Sequence, residues 1–252
     1  MSKPNSLIVY EGPSAIDGKP IVVILTGLAS SSANGKTGDL VQSFIIRADV
    51  EPHVAVKTGD DSSICGMCQH RPILAQATGS PPCYVRTGES VLSVFRAYQR
   101  GSYPRAQTVA QVADALKGRK LRLGTYGDPA AAPVALWQAL TSLSDGHVGY
   151  THQWQSVGFD VNAWSSLVMA SADSVEESAQ ATALGMRYFR VSIGVDKKPL
   201  EVTCPASVEG GRKAQCSDCM LCAGTSKQAR SIVIADHASG YQRRVISIRS
   251  AA

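Results

Sequence analysis

Apolar positions along the chain follow two rhythms. Over the first fifty residues they form short β-branched runs, at residues 6–10, 20–25 and 40–46. Gly12-Pro13 and Asp17-Gly18 separate the first two with turn chemistry. Three strands are therefore predicted in a β-rich N-terminal segment, residues 1–60. The next segment, residues 61–118, reads differently. Val91, Val94, Phe95 and Tyr98 recur at helical spacing, as do Val109, Val112, Ala113 and Leu116, which predicts helices over 90–99 and 107–116.

From residue 119 strand-like and helical stretches alternate. Strands are predicted at 121–126, 147–152, 166–170, 188–193 and 231–235, with a helix over 133–143 that tolerates Pro133 in its first turn. A second helix runs to about residue 184. Asp173 or Ser174 serves as its N-cap, Glu176 and Glu177 sit in its first turn, and Gly185 ends it. This rhythm implies an α/β fold with a parallel sheet, open or curled into a partial β/α barrel, in which the three segments form one unit. Such sheets gather function at the C-terminal ends of their strands. Those ends carry Asp128, His152, Asp173 and Arg190. They are the candidate catalytic residues, Asp or His to move protons and Arg190 to fix an anionic group. The plain alternative is that the aspartates cap helices.

Composition narrows the class. The 252 residues are 44% hydrophobic and 18% charged, which favours a packed core over disorder. A net charge of +5 is a mild bias toward anionic partners. No apolar run approaches the roughly 20 residues that span a bilayer, and Met1-Ser2-Lys3-Pro4-Asn5-Ser6 lacks a signal-peptide layout. A cytoplasmic location without a membrane partner is expected. The seven cysteines are odd in number and fall in two groups, so metal binding is expected in place of disulfides.

The C-terminal group is the more specific. Cys204-Pro205 precedes Cys216-Ser217-Asp218-Cys219-Met220-Leu221-Cys222, four thiolates of the kind that zinc and iron–sulfur clusters select. The C-x-x-C-x-x-C step is a ferredoxin pattern, which favours a [4Fe–4S] cluster over zinc. The N-terminal group comprises Cys65, Cys68 and Cys83, with His70 two residues after Cys68. It reads either as a Cys3His zinc site or as a three-cysteine cluster with one open iron.

Two further features carry weaker chemistry. Ser30 to Thr37 ends in Gly-Lys-Thr, but Ser30 stands where a P-loop needs glycine and a strand, not a helix, is predicted next. Lys36 is retained as a candidate cofactor-binding residue for some other phosphate or carboxylate. Arg86, Arg96, Arg100, Arg105, Arg119, Lys120 and Arg122, interleaved with Tyr98 and Tyr103, form either a nucleic-acid-binding stretch or a solvated face.

Taken together, several motifs resemble a group of proteins encoded by bacteriophages and mobile elements, and through them the phage family called gene product 88. They are 32–39, Cys65-Gly-Met-Cys68-Gln-His-Arg-Pro72, Cys83-Tyr84-Val85, 95–103, Tyr126-Gly-Asp-Pro129, Thr151-His-Gln-Trp154, Phe189-Arg-Val-Ser192 and the final cysteine run. That resemblance spans about residues 20–237 and implies a phage or mobile-element origin without an activity. The inventory is also similar to that of radical S-adenosylmethionine enzymes, which combine a partial β/α barrel, a three-cysteine cluster and often an auxiliary C-terminal cluster. It departs from them in that Cys65, Cys68 and Cys83 are spread out where those enzymes use a tight C-x-x-x-C-x-x-C loop. S-adenosylmethionine is thus a doubtful cofactor. The leading expectation is an iron–sulfur enzyme of radical or redox type acting on an unknown small molecule. The alternative is a zinc-stabilised, non-catalytic protein that binds nucleic acid or a host partner.

Overall fold

The computed structural model describes residues 4–29, 34–79, 83–192 and 196–236. Its strands are β1 (Ser6–Pro13), β2 (Pro20–Thr26), β3 (Leu40–Arg47), β4 (Lys120–Tyr126), β5 (His147–Thr151), β6 (Met169–Ala172), β7 (Tyr188–Ser192), β8 (Glu201–Thr203) and β9 (Ser231–Ala235). They form one open nine-stranded sheet in the order β1-β2-β3-β4-β5-β6-β7-β9-β8. β1 to β3 pair antiparallel, and every pairing from β3 to β8 is parallel. The β-rich N-terminal segment is thus continuous with the β/α part.

The strands from β3 to β7 follow one another in chain order, so their crossovers all step in one direction. Right-handed crossovers of that kind place the connecting helices on one face. The burial pattern agrees. Helices α4 (Leu92–Gln99), α5 (Val109–Leu116), α6 (Val134–Ser142) and α8 (Val175–Ala183) contribute Phe95, Leu116, Trp137 and Ala181 to a core with Leu121 and Leu123 of β4 and Ala170 and Ala172 of β6. Side chains alternate across a strand. On the other face Val148, Met169, Ile232 and Ile234 pack with Cys204 and Cys222. The sheet is therefore covered by helices on one side and by the cysteine-rich 204–230 connection on the other.

Most predicted elements appear within a few residues of the expected bounds. The strand predicted at 166–170 begins later, at Met169, because the preceding backbone is used by a turn. Leu167 N and Val168 N donate to Trp164 O at 2.8 and 3.1 Å, closing α7 (Val161–Trp164). The sequence pattern had not revealed the short helices α1 (Pro52–Thr58), α2 (Ser62–Cys65) and α3 (Pro72–Thr78), the three-residue edge strand β8, or α9 (Cys216–Cys219). Ser30 to Ala33 and Ile193 lie outside the described residues. β3 follows Gly38-Asp39 directly, so Lys36-Thr37 opens no helix of the P-loop kind. No helix among the described residues is long and apolar enough to cross a membrane.

Candidate metal centres on the sheet

The N-terminal cysteines sit on a loop clamped against the C-terminal ends of three parallel strands. After β4, Asp128 N donates to Ile64 O at 2.6 Å. After β5, Gln153 Nε2 donates to Cys65 O at 2.9 Å. After β6, Asp173 Oδ1 lies 2.9 Å from His70 Nε2. Arg71 braces the loop from within, donating to Gly66 O, Gly59 O and Asp61 Oδ1 at 2.9, 2.7 and 2.7 Å. Cys83 joins through its own N–H, 2.7 Å from His70 O.

These clamps bring Cys65, Cys68 and Cys83 into one electrostatic neighbourhood. Burial pushes the Cys65 thiol well up, and Cys68, Cys83, Asp61 and Asp128 add repulsion. Cys83 is raised for the same first reason, with His152 as a nearby offset. The Tyr126 hydroxyl is buried among these groups without a hydrogen-bond partner. Three thiols beside two carboxylates are costly as thiolates on their own. A bound cation reverses that balance, so the donor set fits a metal.

Three of the four candidate catalytic residues meet here. Burial alone would keep His152 neutral, but its bonds to Asp173 and Cys68 raise its pKa well above the usual value. Asp173 responds in the opposite sense. Burial would raise it, and the bonds from His152 and His70 hold it well below the ordinary carboxylate range. Ser174, not Asp173, caps α8, its side chain accepting from Glu177 N at 3.0 Å. The Asp173 carboxylate is thereby left for the two imidazoles. Ser174→Ala should lower stability by about 1 kcal/mol, the usual worth of an N-cap, as measured by urea unfolding. A neutral result would remove that assignment.

Asp128 has a positioning geometry. Its Oδ1 accepts from Thr151 Oγ1 at 2.7 Å and Ala130 N at 2.9 Å, and its Oδ2 accepts from His152 N at 2.8 Å. It ties β4 to β5 and sets where His152 begins. Arg190 stands apart from this group. It is buried at 3% exposure, with Nε and one terminal nitrogen each 2.7 Å from the carboxylate of the fully buried Glu201.

The C-terminal cysteines gather on the sheet face opposite the helices. Cys204 N donates to Val233 O of β9 at 2.9 Å, Gly149 N of β5 donates to Cys222 O at 3.0 Å, and Cys216 N donates to Lys36 O at 2.9 Å. Arg187 gathers the rest of the loop, donating to the carbonyls of Leu221, Gly224, Lys227 and Arg230. Burial raises Cys204, Cys216 and Cys222, and each is raised further by the other sulfurs. Cys222, bonded to Tyr150, is pushed up to about 12. Arg122 of β4 faces the same group. Its neighbours include Cys216, Tyr150 and Tyr84, and its Nε is buried without a partner. A guanidinium so placed matches a centre that carries net negative charge.

The spacing of the donor atoms separates two kinds of centre. Thiolates around one tetrahedral zinc, at Zn–S of about 2.3 Å, lie roughly 3.8 Å apart. Among the described residues no three cysteine sulfurs lie within 4.8 Å of one another; the one such group of donors is His70, His152 and Asp173. Neither cysteine group is therefore drawn up as a closed single-ion cage.

The remaining candidates are dispersed. Arg86, Arg96, Arg105 and Arg119 pair with Glu89, Glu51, Glu11 and Asp39, and Lys120 Nζ donates to Ser217 O. Each of these four arginines thus has a carboxylate beside it. Lys36 instead lines a cleft of about 280 Å³ with Gly35, Ser207 and Arg212, close to Cys204 and Cys216. Sequence reasoning had not found Arg122, Tyr150 or Tyr126 as parts of these sites, since each lies inside an ordinary strand run. Compared with known proteins, the chain matches no family model, no curated protein and no solved structure.

Proposed function

We propose that this chain is an iron–sulfur enzyme of redox or radical type. Cys204, Cys216, Cys219 and Cys222 hold a [4Fe–4S] cluster, and Cys65, Cys68 and Cys83 hold a second, reactive one. The observation that carries the reading is the convergence of four cysteines on one sheet face, two of them buried, with Arg122 beside Cys216. A cluster of this type supplies one-electron transfer. The chain's own groups do the rest. Arg122 and Lys36 offset negative charge beside Cys216. Tyr150 fixes Cys222. At the strand ends His152 and Asp173 border a cleft of about 110 Å³ with room for a small ligand.

The resemblance to the phage gene product 88 family adds a phage or mobile-element setting. The reading as a zinc-stapled nucleic-acid-binding protein draws less support, because four of the arginines that it needs are already paired with carboxylates. The deciding experiment is iron, sulfide and zinc analysis with an absorption spectrum on protein purified without oxygen. Several irons and sulfides per chain with a broad band near about 400 nm are expected. A colourless protein with one or two zinc ions would refute the proposal.

A further inference from the structure

A separate site lies beside the N-terminal cysteines, built from donors that a single ion can reach. His70 comes from the loop after α2, His152 from the end of β5 and Asp173 from the end of β6. His70 Nε2 is 2.9 Å from Asp173 Oδ1, and His152 Nε2 is 3.3 Å from Asp173 Oδ2. The two rings stand edge to face with centroids 5.6 Å apart. One ligand atom from each of the three residues lies within 4.8 Å of the other two, so a single ion can reach all three. His152 Nε2 is buried, so both imidazoles present a nitrogen to the one Asp173 carboxylate.

We propose that His70, His152 and Asp173 together hold one divalent first-row metal ion, iron(II) or manganese(II), in a two-histidine, one-carboxylate arrangement. Such a triad occupies one face of the ion and leaves the opposite positions open. The cleft beside it supplies what would fill them. It is lined by Gln69, Trp154, Gln155, Ser171 and Glu177, and has room for several waters or a small oxygen-donor ligand. Cys68, which bonds the His152 ring, supplies an outer partner that orients the imidazole. Two of the ligands stand at neighbouring strand ends, and the loop clamped against the strand ends brings the third.

This site does not depend on clusters at either cysteine group, and manganese(II) tests it alone, because that ion prefers nitrogen and oxygen donors to thiolate. The full chain is titrated with manganese(II) and free ion is counted by electron paramagnetic resonance. Spin-echo modulation of the loaded protein then counts the coupled imidazole nitrogens. One ion per chain with two coupled imidazoles is expected, with affinity reduced at least about tenfold in Asp173→Asn and in His70→Gln. No binding up to millimolar manganese(II), binding without imidazole coupling, or equal affinity in folded variants would each overturn it. If the variants do not fold, the imidazole count in the wild-type protein decides. Protein without iron and sulfide that still binds manganese through two imidazoles refutes the cluster reading and keeps this site.

Discussion

Replacing Glu201 by alanine should lower stability by about 3–5 kcal/mol, the usual cost of leaving a buried charge without its partner. Arg190 of β7 and Glu201 of β8 make a two-point contact at 2.7 Å on each oxygen. Arg190 also donates to Asp196 O, and Glu201 Oε2 accepts from Lys198 N at 2.8 Å. With both side chains nearly inaccessible, water cannot replace the lost carboxylate. In a domain of this size the loss corresponds to a fall in melting temperature of roughly 10 °C. Replacing both partners by apolar residues should recover most of it. The pH dependence has a fixed sign. Burial would raise the Glu201 pKa, but Arg190 and the Lys198 amide hold it below the ordinary 4.5. Its stabilisation is therefore complete above that value and is lost as pH falls through the lower folded one. Urea unfolding of wild type and Glu201→Gln should show a gap at pH 7 that narrows in acid. Equal stability at pH 7 would show that the pair contributes nothing net.

If the C-terminal cysteines hold the proposed cluster, Cys222→Ser is expected to abolish it and to lower the melting temperature by more than about 10 °C, as binding free energy at such a site is folding free energy. Cys222 is the most constrained of the four. It packs in the second core with Met169 and Ile234, bonds Tyr150, and its carbonyl accepts from Gly149. A serine hydroxyl fits the space but is a poor ligand for iron. Cys204→Ser, Cys216→Ser and Cys219→Ser should act in the same direction. On the proposed reading Cys83→Ser, in the separate N-terminal group, should leave the C-terminal iron and sulfide in place. Retention of metal content and melting temperature in all four C-terminal variants would sink the cluster assignment.

The alternation of apolar runs made most of the sheet legible, because strands buried on both faces, such as β2 and β9, are written as continuous β-branched residues. Ser174 and Glu177 marked the start of α8 for the same local reason. What stayed hidden depends on contacts between distant segments. β8 is three residues long and exists only through β9. The pairing of His70 with Asp173 joins residues 103 positions apart. Arg190 carries the expected charge at the expected strand, yet its nearest carboxylate is Glu201, in a strand too short to be read from the pattern. His152 and Asp173 were found as separate strand-end residues, and only the fold joins them with His70.

The place of β9 has a consequence for the order of assembly. β1 through β7 can be added to the sheet in the order in which they are synthesised, each against a neighbour already present. β8 cannot, since its one partner is β9, which follows it in the chain and enters between it and β7. All four C-terminal cysteines lie on the connection from β8 to β9. The sheet edge and the cysteine loop therefore close together, after the rest of the scaffold stands.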